Sequence, residues 1–230
     1  MQLMEKDAFL SQARDAMAGF YDELAALSDL SLSSFDPGTT ALIVVDMVNG
    51  FAQEGALASP RVGAMAGEIA ALTEACRRKG FPVVAFADTH TADSLELASY
   101  PPHCLRGTEE AQLVPELQAA AALDAPGSFS LIEKNSTNGF LEPVFDLWRR
   151  EHPDVTAYLV VGDCTDICIH QFALAAKAWH NARNRPLRVL VPAALVDTFD
   201  SPGHPADTMN AAALLFLRSN GVELCRSLAF

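Results

Sequence analysis

From Thr40 onward, short apolar runs alternate with helical stretches, and this alternation leaves few folds open to the chain. The runs occupy 41–45 (Ala-Leu-Ile-Val-Val), 82–86, 130–132, 157–161, 187–191 and, more weakly, 222–225, each too short for a typical helix. Helical patterning is read over 62–79, 109–122, 141–150, 166–183 and 206–219, each followed within a few residues by Gly, Pro, Asn or another breaking cluster. Strand and helix in regular succession predict crossover connections and hence a parallel sheet. The runs lack polar alternation, as expected of strands covered on both faces. The reading is therefore α/β: a doubly wound, mostly parallel six-stranded sheet with helices on both faces.

Residues 3–30 follow a different rule. Leu3, Phe9, Leu10, Ala13, Met17, Phe20, Tyr21, Leu24 and Leu27 recur mostly at three- and four-residue intervals, an amphipathic pattern that fades in the serine-rich stretch 28–34. Asp36-Pro37-Gly38 then supplies a turn. Two parts are predicted: an N-terminal helical extension at 1–35, as one helix or a pair, and an α/β domain at 36–230. The apolar stripe of the extension is expected to pack on the domain or on a neighbouring subunit.

Charge and cysteine usage remove several function classes. The 29 acidic residues outnumber the 16 basic ones, for a net charge of −13, the wrong sign for neutralising nucleic-acid phosphates. No apolar stretch approaches the length of about 18 residues needed to span a bilayer, and Glu5 and Asp7 stand where a signal peptide would be basic. A cytoplasmic protein with no nucleic-acid or membrane partner is expected. The five cysteines, Cys76, Cys104, Cys164, Cys168 and Cys225, are odd in number and irregular in spacing, which argues against a disulfide framework or a four-thiolate zinc site.

Ligands of open parallel sheets sit beyond the carboxyl ends of the strands, so the residues that close each run carry the chemical information. The first run ends in Asp46, the second in Asp88-Thr89-His90, the third in Glu133-Lys134 and the fourth in Gly162-Asp-Cys-Thr-Asp-Ile-Cys168. No glycine-rich phosphate fingerprint follows the first run, which continues Met47-Val-Asn-Gly-Phe51. Cys168 falls in the opening turn of the 166–183 helix, where unpaired N–H groups and the helix dipole favour a thiolate. Its alternative is a small buried apolar side chain. An acid able to take the thiol proton and a lysine able to favour the anion at neighbouring strand ends weigh toward a nucleophile.

Three segments carry a family resemblance: ALIVVDMVNGF around Asp46, LIEKNSTNGF around Lys134 and VVGDCTDICIHQFA around Cys168. In this order they resemble the isochorismatase-like cysteine hydrolases, which include nicotinamidases, over about residues 39–230. The resemblance implies a Rossmann-like fold and an Asp46–Lys134–Cys168 triad, with Asp46 moving protons, Lys134 supporting the thiolate and Cys168 attacking. It also implies a cis peptide between Asp163 and Cys164 and an oxyanion hole from the backbone N–H groups of Cys164 and Cys168.

A fourth segment, ADTHTADSLELASYPPHCLRGTEEAQLVPEL, resembles the metal-binding stretch of nicotinamidases. Asp88, His90 and His103 then fall on metal-ligand positions, with Glu96 ranked below them, and the set suits zinc, iron or manganese. Phe51 and Tyr100 take positions where nicotinamidases present aromatic side chains to a pyridine ring. The sequence departs from the nicotinamidase pattern at Thr89, at 48–51 and in the 134–140 loop. The resemblance thus implies a metal-assisted amidohydrolase acting on nicotinamide or a related small amide, and a homo-oligomer. The alternatives are a relative acting on an N-carbamoyl compound, a ureide or isochorismate, or a catalytically silent ligand-binding homologue.

Overall fold

The computed structural model describes residues 4–230; Leu3, the first residue of the expected apolar stripe, lies outside them. One helix, α1 (Lys6–Ala25), precedes the α/β body. None of its residues is buried; Leu24 packs against the core at its C-terminal end, and Glu23 pairs with Arg218. The chain enters the body earlier than the expected boundary at residue 36. Strand β1 (Leu30–Ser31) pairs in parallel with β9 (Leu228–Ala229), and Leu32 is fully buried in the core. Apolar residues thus tie down the serine-rich stretch in which the helical pattern fades.

The main sheet contains β2 (Thr40–Val45), β3 (Val83–Asp88), β4 (Phe129–Lys134), β5 (Ala157–Asp163), β6 (Arg188–Pro192) and β8 (Glu223–Cys225). Their order is β4-β3-β2-β5-β6-β8, all parallel, with a two-residue strand β7 (Val196–Asp197) added beside the end of β5. The six expected strands are all present. Counted along the chain this order is 3-2-1-4-5-6, so it reverses between β2 and β5, where doubly wound sheets open a crevice.

Both faces are covered. Leu42, Val44, Val83, Ala85, Leu159 and Val161 pack on the side of α3 (Pro60–Arg78) and α4 (Pro115–Ala121). Their neighbours one residue along, including Ile43, Val45, Val84, Phe86, Tyr158 and Val160, pack on the side of α5 (Pro143–Glu151), α6 (His170–Asn181) and α7 (Ala206–Ser219). This period of two inside uninterrupted apolar runs is what burial on both faces requires. The short helix α2 (Asn49–Ala52) follows β2. Edge strand β4 instead alternates at its end, exposing Leu131 and Glu133 and burying Ile132 and Lys134. No helix among the described residues is long and apolar enough to cross a membrane.

Helix boundaries follow local chemistry. Ser59 accepts the Arg61 N–H and Pro60 sits at the first helical position of α3, a strong start signal. The helix expected at 109–122 begins only at Pro115, because residues 109–114 are turned back and Leu113 bridges to Val48. Buried Arg77 then donates to the carbonyls of Ala120 and Ala121 at the end of α4.

Gly162 shows how tightly the crevice is built. It has φ +116°, and a Cβ there would lie 2.0 Å from the Val45 carbonyl oxygen of the neighbouring strand. Gly162→Ala is expected to destabilise the fold by about 3 kcal/mol or more, since it combines a left-handed conformation with a backbone clash. Thermal unfolding checks this, with an expected fall in Tm of roughly 6–12 °C.

Candidate active site

The carboxyl ends of β2, β3, β4 and β5 bring the expected residues together on either side of the β2–β5 crevice. Asp46, immediately after β2, is fully buried with φ 55°, in the left-handed region that non-glycine residues rarely occupy. Lys134, the last residue of β4, is also buried, and its ammonium lies 2.8 Å from Asp46 Oδ2. That nitrogen donates to Asp88 Oδ1 at 2.7 Å, to the Ser136 carbonyl at 3.0 Å and to Cys168 Sγ at 3.9 Å. Asp46 and Asp88 thus share one buried ammonium, at 2.8 and 2.7 Å.

Cys168 sits in a π-helical turn (Thr165–Ile169) that leads into α6, so the single helix expected over 166–183 starts with one widened turn. Such turns often mark functional sites. The turn follows a cis peptide between Asp163 and Cys164. The expectation of a preformed thiolate is not met. Burial pushes the Cys168 thiol well above its ordinary value, and the Lys134 charge only partly opposes this. A buried thiol of this kind needs a base at the moment of reaction.

The two carboxylates beside Lys134 are driven apart. Asp46 is pushed up to about 6 by burial, against the pull of Lys134 and with the repulsion of Asp88. Burial acts on Asp88 in the same direction, but Lys134 and the hydrogen bonds from His103 and His90 overcome it and hold this carboxyl well below the usual range. Asp88 is thus a permanent anion, and Asp46 is the carboxylate able to exchange a proton near neutrality.

Asp88, His90 and His103 form a compact buried triangle. His90 Nε2 lies 2.9 Å and His103 Nε2 3.0 Å from Asp88 Oδ2, and the two imidazole nitrogens are 3.1 Å apart. The donor set fits a divalent metal: bonds of about 2.0–2.2 Å to nitrogen and oxygen place neighbouring ligand atoms about 3 Å apart. The outer contacts agree. His103 Nδ1 donates to the Pro101 carbonyl at 2.7 Å, so loss of the Nε2 proton that now reaches Asp88 would give the tautomer a metal requires. Asn135 Oδ1 stands 3.4 Å from His90 Nδ1 and accepts the Thr91 N–H, steadying the other ring. Glu96 lies outside this group: its carboxylate accepts the Thr137 N–H, so it fastens its own loop to the one after Lys134.

A narrow cavity joins the triangle to the sulfur. Phe51 and Tyr100 line it as expected, with ring centroids 5.5 and 6.1 Å from that of His103. Leu57, Thr137, Ile167 and Phe199 also line it and were not legible in the sequence. Phe199 comes from the loop after β7 and stacks on His204 at 4.1 Å; His204 in turn holds Asp166, in the nucleophile's own turn, at 2.7 Å. The sequence signal for this wall was slight: Asp200-Ser-Pro-Gly-His204 is a turn cluster just past the fifth long strand.

An isochorismatase domain model matches residues 40–216, which spans the whole crevice and most of the chain. The chain belongs to the isochorismatase family. Nicotinamidase 1 of Arabidopsis thaliana is 33% identical over 219 residues, covering 84% of this chain and 87% of that protein. Among solved isochorismatase-fold structures, nicotinamidase/pyrazinamidase from Bacillus subtilis superposes with a TM-score of 0.66 at 26% identity, over 81% of this chain and 99% of that one. N-carbamoylsarcosine amidase from Thermoplasma acidophilum superposes with a TM-score of 0.65 at 27% identity, over 82% and 96%.

Proposed function

We propose that this isochorismatase-family chain is a metal-assisted cysteine amidohydrolase that converts nicotinamide, or a closely related small amide, to its acid and ammonia through a thioester on Cys168. The observation that carries the reading is the division of labour around one ammonium. The Lys134 ammonium lies 2.8 Å from Asp46 Oδ2, 2.7 Å from Asp88 Oδ1 and 3.9 Å from Cys168 Sγ, so one buried cation gathers the nucleophile, a proton acceptor pushed up to about 6 and a second carboxylate held low.

The steps follow from that arrangement. Asp46 takes the thiol proton as Sγ attacks the amide carbonyl, and the Lys134 charge offsets the anion developing on sulfur. The backbone N–H groups of Cys164 and Cys168 receive the oxyanion of the tetrahedral intermediate. Asp46 returns its proton to the nitrogen, the C–N bond breaks and ammonia leaves a thioester. Water then attacks, losing a proton to Asp46; the C–S bond breaks, the acid departs, and the proton goes back to sulfur. Phe51, Tyr100 and Phe199 hold a planar ring by aromatic contact. Asp88, His90 and His103 would hold a divalent ion, which would supply Lewis-acid polarisation of a bound pyridine amide.

The metal triangle supports a pyridine amide over an N-carbamoyl compound as the substrate. His103→Ala is expected to remove most of the bound metal and to lower nicotinamide turnover at least about 100-fold. Elemental analysis and an ammonia assay on a panel of amides and N-carbamoyl compounds check both. Full turnover of nicotinamide by metal-free protein, or faster turnover of an N-carbamoyl compound, would overturn the assignment.

A further inference from the structure

A second concavity lies well away from the catalytic crevice. A cavity of about 790 Å³ lies at the opposite edge of the sheet, between the last turns of α5 and α6, beside Thr156 and Pro186, which precede β5 and β6. On a chain of net charge −13, four of the twelve arginines line it: Arg149, Arg150, Arg183 and Arg185. Asp146 is the one acidic side chain in the lining, and it pairs with both Arg149 and Arg150. Basic residues at helix C-termini are ordinary partners of the helix dipole. Here the surplus goes beyond that, because Arg183 and Arg185 make no ion pair among the described residues.

Arg149 is the informative residue. Its side chain is only 9% exposed, and its Nε and Nη1 have no hydrogen-bond partner among the described residues. Its guanidinium lies 4.3 Å from the centre of the Trp179 ring, and that of Arg183 lies 4.0 Å from the same ring. The Arg149 guanidinium also lies 4.4 Å from the centre of the Phe140 ring and its Nη2 donates to Asp146, so it brings a buried positive charge to the cavity wall, while Arg183 and Arg185 carry the N–H groups without an acidic partner.

We propose that this cavity is a binding site for a phosphate-bearing small molecule of up to nucleotide size, whose phosphate oxygens take N–H groups of Arg183 and Arg185, with the buried charge of Arg149 behind them. The volume falls within the usual range of about 300–1,000 Å³ for small-molecule sites. His180, at the floor, reports the unbalanced field: burial and the charges of Arg149, Arg185, Arg183 and Lys177 bring its imidazole down to about 4. An anion seated on these arginines reverses part of that effect.

The test follows the His180 imidazole by NMR during titration with pyrophosphate, ATP and citrate, with His180→Gln for assignment. Pyrophosphate and ATP are expected to move its titration up by about one unit or more. Their affinity should fall with added salt, and about tenfold or more in Arg183→Gln/Arg185→Gln. That double variant should keep wild-type melting and wild-type amide hydrolysis, since both side chains lie away from the crevice. A silent His180, or equal binding by wild type and double variant, overturns the site. Citrate binding as tightly as pyrophosphate overturns the phosphate assignment. A change in subunit assembly of the double variant without anion binding overturns the site in favour of a protein contact.

Discussion

Cys168→Ala is expected to end ammonia release from nicotinamide, with residual turnover at least about 10⁴-fold below wild type and the fold intact. The size follows from the role: a nucleophile that forms the covalent intermediate has no substitute, and removal of such groups elsewhere leaves only the contribution of oxyanion and binding contacts. The structural loss is one sulfur atom in a buried turn, about 1 kcal/mol, so melting and metal content should change little. The thioester can be sought directly. Mass spectrometry of wild-type protein quenched during turnover should find an acyl adduct on Cys168 that is absent from the alanine variant. Asp46→Asn supplies an independent check, since the thiol is raised by burial and needs that base; its alkylation near neutral pH should slow sharply. Turnover by the alanine variant, or an adduct on Cys164 instead, would remove the mechanism.

The parts of this site that were legible in the sequence are those that strand geometry fixes. A strand buried on both faces must be apolar throughout, so its first polar residue marks its carboxyl end; Asp46 and Asp88 were exposed to inference in this way, and the 3-2-1-4-5-6 order brings those ends to one edge. That logic reached only the pair Glu133-Lys134; the resemblance of LIEKNSTNGF singled out Lys134, and the edge-strand alternation that buries it beside exposed Glu133 shows only in the structure. What stayed hidden depends on distances that no local pattern encodes. The helix-dipole argument gave Cys168 a thiolate, yet burial outweighs the dipole at a site closed from water. Glu96 has the spacing of a ligand, but its carboxylate is taken up by the Thr137 N–H. Phe199 reaches the cavity from a loop more than thirty residues beyond the nucleophile, placed there by the β5–β7 pairing and the His204–Asp166 contact. The arginine cavity was equally invisible, since its residues come from two helix ends that each look like ordinary dipole compensation.

Lys134→Met is expected to have the second largest effect, on stability and activity together. The substitution leaves Asp46 and Asp88 buried without the one cation they share, and breaking a buried ion pair from one side costs about 3–5 kcal/mol. The pH dependence distinguishes this from a packing defect. In the wild type, burial pushes the Asp46 carboxyl up to about 6 from an ordinary 3.8, so between those limits the native state holds more protons than the unfolded chain. The contribution of this group therefore weakens as pH rises through that window. Asp88, held below its ordinary value, acts oppositely: its contribution is present above the unfolded value and is lost on acidification. Without Lys134 both carboxyls move upward, the opposition disappears, and the deficit should be largest above pH 6 and partly relieved near pH 4–5. The acid limb of kcat/KM, expected at about pH 6 from Asp46, should move to higher pH in the variant's residual activity. Denaturant midpoints at pH 5 and pH 8, with the rate profile, settle the point. An equal loss of stability at both pH values, with the acid limb unmoved, would mean that Lys134 only fills space and that its charge is not what sets the acid and the base apart.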